Sequence, residues 1–398
     1  MKKECLIIGA GRSGRGYLGE LLFLEDWHIT FADINAQLTE ALKKARTYHV
    51  FKYGEDGQET ITPVTNFDVV NTVSDHAEYI QRIADASLVM TALFPDAFQQ
   101  VAADLVEAMR LRKQRQEKHY FVILLGANYV GLKETYTKLI QEQLNTEELD
   151  YFKTYGRLVE TVITRINSIP TPQQADFDPL SIQGEDQPIL AVNAELTDYI
   201  DIKQLPKFFV YEKDTQRHFK TKIWQGNTMH CTLAFMGKYH GYTYLYEAAR
   251  NKHIRACAEK AYREGNAGLV ELYGEEVRIT ESKLQGFLEE YADDAVKDWI
   301  IRVGGDPIRK LSKNDRFIGP ALLCVQHGIV PYFICQAAAY GFLFKEERLG
   351  EDRDITRRVD QIGIEAAIQQ ICGLDLHRPD EKLVYDLIFK AYQNIVSQ

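Results

Sequence analysis

A doubly wound α/β unit followed by a mostly α-helical unit is the architecture this sequence predicts, and three observations carry it. The run Cys5-Leu6-Ile7-Ile8 is short, continuous and apolar, as befits a parallel strand buried on both faces, and it feeds directly into Gly9-Ala10-Gly11-Arg12-Ser13-Gly14. Strand-like and helix-like apolar runs then alternate as far as Gly126. Beyond about Lys207 long helical periodicities dominate to the end. At 398 residues the chain is too long for one small core, so two domains are expected, 1–205 and 206–398. The fold class is an α/β N-terminal Rossmann-like domain followed by a mostly α-helical C-terminal domain.

Each N-terminal element has its own signal. After the glycine-rich turn a helix carries Leu18, Leu21, Leu22 and Leu24 on its apolar side, and a strand from His28 to Ala32 ends at Asp33. Gly9 allows the tight turn, Gly11 lets the backbone approach a pyrophosphate, and Gly14 lets the helix pack close to the strand. The phosphates would sit at the helix N-terminus, with Ala10 and Ser13 in the same turn. Asp33 follows Gly14 by 19 residues and is placed to accept from both adenosine ribose hydroxyls. Its charge would repel a 2′-phosphate, which favours NAD over NADP. A strand before the motif, a helix after it and an acid ending the next strand make the fingerprint specific. Arg12 and Arg15 are either phosphate contacts or solvated arginines.

The pattern continues with a helix over 37–46 and a hairpin, 48–53 with 60–64, around Gly54-Glu55-Asp56-Gly57. The strand over 87–92 puts Thr91 and Ala92 at the carboxyl edge, where a dinucleotide lies. A helix over 96–115 places Phe98, Val101, Ala102, Leu105 and Met109 on one face. The strand over 120–125 runs into Gly126-Ala127-Asn128. Short β-like pieces punctuated by Pro170, Pro172, Pro179 and Pro188 fill 157–205. Helices are predicted over 252–272, 281–291, 332–342 and 381–396.

Composition excludes several function classes. The net charge of −10 argues against a nucleic-acid footprint or a polybasic membrane patch. The six cysteines, at 5, 231, 257, 324, 335 and 372, form no close Cys-x-x-Cys pair. They read as buried free thiols in a reducing compartment, with neither a disulfide framework nor a zinc set. The first apolar run is too short for a signal peptide and no stretch suits a membrane helix, so a cytoplasmic protein is expected.

The stretch Lys222-Ile223-Trp224-Gln225-Gly226-Asn227-Thr228-Met229-His230 stands apart. On an α-helix, at about 100° per residue, His230 falls about 80° round from Lys222 and Asn227 about 140°. One face then presents an amine, an amide and an imidazole, a set suited to carbonyl/alcohol redox chemistry. A lysine moves the hydroxyl proton, and an amide donates to a developing oxyanion. On spacing alone, a polar helix face with a solvated lysine and a packed histidine is the more ordinary outcome.

Three blocks change that balance. Gly9-Ala10-Gly11-x-x-Gly14-Arg15-Gly16 with Thr30-Phe31-Ala32-Asp33, Lys222-x4-Asn227-x2-His230, and Val303-Gly304-x-x-Pro307-x-Arg309-Lys310-Leu311-Ser312-x-x-Asp315-Arg316 occur in order. Together the sequence resembles the polyol-specific long-chain dehydrogenase (mannitol dehydrogenase) family over nearly its whole length, most closely the mannitol-1-phosphate 5-dehydrogenase branch. The resemblance implies Lys222 as general acid/base, Asn227 and Asn128 polarising the carbonyl oxygen, and His230 orienting the substrate, with no metal. It implies NAD-dependent interconversion of a sugar alcohol phosphate and its ketose, mannitol 1-phosphate and fructose 6-phosphate. Arg309, Lys310 and Arg316 are then candidates for the phosphate. Their alternative is structural, with Arg316 paired to Asp315 or a helix end.

Several positions depart from the family pattern. Ala127 stands where an acid usually precedes the asparagine, and Thr164 stands where an Asp is usual. Phe219 and Lys220 lie where many members carry a Glu. Glu290-Tyr291-Ala292-Asp293-Asp294 takes the place of an Arg-Phe-x-Asn-Pro segment. These changes keep open an unphosphorylated polyol or a hexuronate as substrate. They also leave a different class, a catalytically silent NAD-binding sensor or scaffold.

Overall fold

The computed structural model describes residues 3–54, 58–127, 129–165, 167–294, 298–346 and 354–397. Contacts divide the chain into two units, 1–215 and 216–398.

The strands of the first unit, in chain order, are β1 (Glu4–Ile8), β2 (His28–Asp33), β3 (Tyr48–Tyr53), β4 (Glu59–Val64), β5 (Phe67–Asn71) and β6 (Leu88–Thr91). They continue with β7 (Phe121–Gly126), β8 (Gly156–Val162), β9 (Asn167–Ser168), β10 (Ile182–Glu185), β11 (Leu190–Asn193) and β12 (Phe209–Glu212). An eight-stranded sheet has the order β12-β11-β8-β7-β6-β1-β2-β5. From β5 to β8 every pairing is parallel, which reproduces the doubly wound order with its reversal between β1 and β6.

Both faces of this sheet are covered, and β1 shows why its sequence is continuously apolar. Cys5 and Ile7 pack with Leu18, Leu21 and Phe31 on one side. Leu6 and Ile8 pack with Ile80, Val101 and Leu105 on the other. Leu24, assigned to the apolar side of the first helix, is instead half exposed, because the helix ends there.

The expected hairpin forms, with Tyr48 opposite Val64 and Tyr53 opposite Glu59, and its turn residues 55–57 lie outside the described set. It does not extend the main sheet. A second sheet of order β4-β3-β10-β9 gathers it with two strands from the proline-rich stretch. The unit boundary also falls later than 205/206. Residues 209–212 form β12, which pairs in parallel with β11, so the chain leaves the first sheet only after that strand.

The second unit is helical. Helices at Lys252–Tyr273, Glu281–Ala292, Tyr332–Gly341 and Pro379–Val396 match the predicted periodicities to within two residues. Its core gathers Phe235, Ala258, Ala261, Tyr262 and the alanine run Ala337-Ala338-Ala339 around the helix Asn227–Tyr239. All six cysteines are buried and free. Among the described residues no helix is long and apolar enough to cross a membrane.

Candidate functional site

In the first unit the glycine-rich turn lies at the carboxyl edge of β1. Gly9 has φ +101, and a Cβ there would meet the Ala92 carbonyl oxygen at 2.4 Å. A Cβ on Gly14 would fall 1.8 Å from the Gly9 carbonyl oxygen, so only glycine lets this helix approach its strand. A Cβ on Gly11 would meet nothing within 4 Å, which leaves that peptide open to a ligand. Ser13 leads into a six-residue π-helical opening of the helix, Gly14–Gly19. Asp33 caps the arrangement, its Oδ2 accepting the Ala10 N–H at 2.8 Å and its Oδ1 the Asn35 N–H at 2.9 Å. Thr91 is buried, and its hydroxyl accepts the Gly126 N–H at 3.1 Å; Ala92 bonds back to the Ile8 carbonyl.

Open backbone at Gly11, a helix N-terminus beyond it and a carboxylate at the end of β2 fit a dinucleotide. Three exposed apolar side chains at the same strand ends, Ile34, Val73 and Phe94, are further candidates for its flat base. They follow β2, β5 and β6, and single apolar residues in turns carry no sequence signal of their own. Arg15 is neither a phosphate contact nor a solvated arginine. It is buried, donates to the Ala10 and Leu180 carbonyls, and lies over the Tyr48 ring.

Two family departures also lie in this unit. Ala127 is buried just after β7. The Thr164 hydroxyl is 3.3 Å from the Tyr17 hydroxyl, and Arg165 beside it makes a fully buried pair with Glu20 at 2.7 Å. Asn128 lies outside the described residues.

In the second unit Lys222 does not open a regular helix. Residues Lys222–Gly226 form a π-helical turn, and the Asn227 N–H donates to the Lys222 carbonyl. An i→i+5 turn sets Asn227 above Lys222, closer to its face than the 140° of an α-helix. Such turns recur at functional sites, and here the scaffold holding it is visible. The Trp224 ring fits a notch at Gly319, where a Cβ would stand 2.7 Å away, and its Nε1 donates to the Asn314 carbonyl at 3.1 Å. The Trp224 carbonyl approaches Gly265 as closely, 2.4 Å from a Cβ built there. Gln225 is buried and accepts from the Tyr262 hydroxyl at 3.1 Å. Lys220, at a departure position, lies over the Trp224 ring.

His230 follows on the helix Asn227–Tyr239. Its ring stacks on Tyr291, 4.8 Å between centroids and 10° between planes. Its Nε2 stands 3.3 Å from Asp298 Oδ2 without the alignment of a full hydrogen bond. Burial lowers the imidazole pKa against the raising effect of Asp298. Arg302 grips Asp298 with Nε at 2.6 Å and Nη2 at 2.5 Å. Burial alone would raise the Asp298 pKa, but His230 and Arg302 together hold it at about 2. Asp298 and Arg302 were not singled out in the sequence, and Tyr291 stood there only within the segment that departs from the family pattern. Only the four-residue spacing of Asp298 and Arg302 was readable there.

The segment from Asp306 to Arg316 gathers the three candidate phosphate ligands and sorts them. Arg309 is spent on two carboxylates, Asp306 at 2.8 Å and Asp315 at 3.0 Å. Lys310 is buried with its amine on the Gly305 carbonyl, and burial above all pushes its pKa down to about 7. Arg316 is nine-tenths buried and bonds Asp315 through Nε at 2.8 Å, while its two terminal nitrogens have no partner among the described residues. The Arg316 carbonyl accepts the Thr228 hydroxyl at 2.6 Å, which ties this segment to the helix of His230. Among the described residues no group of His, Cys, Asp and Glu is arranged to hold a metal.

Comparison with known proteins decides the family. Residues 3–195 match the model of the mannitol dehydrogenase Rossmann domain, and residues 214–370 that of the mannitol dehydrogenase C-terminal domain. The chain belongs to the mannitol dehydrogenase family. It is therefore an oxidoreductase of the dehydrogenase class. Mannitol-1-phosphate 5-dehydrogenase of Geobacillus stearothermophilus is 28% identical over 372 residues, covering 93% of this chain and 95% of that one. The Geobacillus thermodenitrificans protein of the same name is 28% identical over 375 residues, covering 93% and 94%. Among solved structures, Pseudomonas fluorescens mannitol 2-dehydrogenase, in ternary complex with NAD and D-mannitol, has a TM-score of 0.77 at 13% identity, covering 100% of this chain and 92% of that one. Substrate-free D-sorbitol dehydrogenase has a TM-score of 0.66 at 13% identity, covering 99% and 94%. At these identities the two structures establish that the family fold is shared.

Proposed function

We propose that this member of the mannitol dehydrogenase family is an NAD-dependent dehydrogenase interconverting a sugar alcohol phosphate and its ketose, mannitol 1-phosphate and fructose 6-phosphate. The observation that carries the reading is the π-helical turn that sets Asn227 above Lys222, one helical step before His230. The relatives named for this activity, at 28% identity, support the substrate.

NAD would be held by Gly9, Ala10, Gly11, Ser13, Gly14, Asp33, Thr91 and Ala92, and would supply the hydride acceptor. Lys222, in its neutral amine form, takes the hydroxyl proton of the polyol during oxidation and returns it as an ammonium during ketose reduction. The Asn227 amide donates to the same oxygen as negative charge builds on it, and Asn128 is assigned to that oxygen as well. His230 orients the substrate. Arg316, whose guanidinium end is unpaired among the described residues, is the phosphate ligand in this reading; Lys310 and Arg309 stand behind it.

The test is NADH oxidation followed by absorbance with fructose 6-phosphate, fructose, tagaturonate and fructuronate, for the wild type and Lys222→Ala. Turnover of fructose 6-phosphate, lost in the variant, is the expected result. Turnover confined to another ketose would keep the mechanism and replace the substrate. NADH binding without any turnover would favour the silent sensor.

A further inference from the structure

Asp298 has no role in the reading above, yet it is the group nearest the buried nitrogen of His230. Nε2 is shut away from solvent and 3.3 Å from Asp298 Oδ2, and no other polar group of the described residues bonds it. The side chain still keeps 21% of its surface exposed, and Nδ1, unlike Nε2, is not shut away from solvent. Nδ1 has no hydrogen-bond partner among the described residues. An imidazole lone pair aimed at a carboxylate is repelled, whereas an N–H is attracted.

We propose that Asp298 is a positioning residue that fixes His230 as its neutral Nε2–H tautomer and so presents Nδ1 as a hydrogen-bond acceptor to a substrate hydroxyl. The inference rests on the reaction proposed above for what the acceptor meets, but its geometry is independent of it. The neighbours of the ring agree. Tyr291 fixes its plane from the helix Glu281–Ala292. Arg302 keeps Asp298 anionic, and with Arg316 it works against a positive imidazole. An acceptor at this position selects for a hydroxyl next to the reacting carbon and against a ligand that offers only acceptors there.

Selective 15N-histidine labelling of the full chain tests this directly. Two-bond 1H–15N spectra distinguish the tautomers, and His230→Asn identifies the relevant signals among the ten histidines. The expected spectrum is a neutral Nε2–H imidazole at pH 7. Asp298→Asn, whose amide donates where the carboxylate accepted, should move the population toward Nδ1–H. It should also raise the KM for the ketose by roughly 10–100-fold with NADH affinity unchanged. An Nδ1–H or doubly protonated His230 in the wild type at pH 7 overturns the proposal, even if Asp298→Asn fails to fold. A wild type that turns over no ketose overturns the reaction assigned above, and the spectra decide the tautomer regardless.

Discussion

Oδ2 of Asp33 accepts the backbone N–H of Ala10 at 2.8 Å, so the acid that ends β2 is bonded to the glycine-rich turn itself. One carboxylate thereby holds the turn in shape, and in the proposed function it is also the group assigned to the ribose. Asp33→Ala should weaken NADH binding by about 10–100-fold, the worth of a hydrogen bond to a charged group. It should also relax discrimination against NADPH. Titration of both cofactors by fluorescence checks this, and an unchanged preference would show that the ribose lies elsewhere.

The notch under Trp224 predicts an effect of a single methyl group. Gly319→Ala puts a Cβ 2.7 Å from a rigid indole that has no flexible end to yield, and should cost about 1–3 kcal/mol of stability. The turn bearing Lys222 must shift with it, so kcat should fall while NADH affinity stays. Gly286→Ala is the control, because nothing lies within 4 Å of a Cβ in that helix, and it should stabilise by about 0.5–1 kcal/mol.

Glu264 makes stability depend on pH. It is mostly buried and accepts the N–H groups of Phe333 and Ile334 at the start of the helix Tyr332–Gly341. Burial, partly offset by those donors, raises its pKa to about 7. A raised folded-state pKa means that the folded chain holds the proton more tightly, so the contribution is full below about pH 4.5 and is lost as pH rises to about 7. The difference is about 3 kcal/mol. Glu264→Gln should equal the wild type near pH 4.5 and exceed it at pH 8 by up to that amount. Urea unfolding at the two pH values measures this; equal midpoints at pH 8 would refute it.

The Asp306 to Arg316 segment separates binding from scaffolding. Arg316→Met should raise the KM for fructose 6-phosphate by about 10–100-fold and leave fructose unaffected. Arg309→Met breaks two carboxylate bonds and should lower the melting temperature more than it alters KM. The reverse pattern would exchange the two assignments.

How far the sequence could be read varies with the range of the interaction. β1, the glycine-rich turn and Asp33 were legible because their signal is local: an apolar run, fixed glycine offsets, and an acid closing the next strand. The helices of the second unit were legible from their apolar period. The placement of β3 and β4 in a second sheet was not, since it depends on β10, more than 100 residues away. Arg15 was misread for the same reason, as its carbonyl partner Leu180 and the covering Tyr48 are distant in sequence. The site residues Lys222, Asn227 and His230 were found through their spacing. The wide turn between them was not, because the positions packed against its Trp224, Gly265 and Gly319, are distant in sequence. Asp298 escaped notice because it meets His230 from a non-helical segment distant in sequence.

The wide turn at Lys222–Gly226 has a consequence for how this region tolerates change. It acts as a phase adjuster, inserting extra length into one helical revolution so that the residues before and after it keep their bearings. Substituting Ile223 or Gly226 leaves that angle in place. An ordinary helix of the same residue count would turn Asn227 to about 140° from Lys222, whereas deleting one residue as the turn tightens would return it to about 40° and leave the downstream helix near its present bearing. The width of this turn, matched to its residue count, sets the direction in which Asn227 and His230 face.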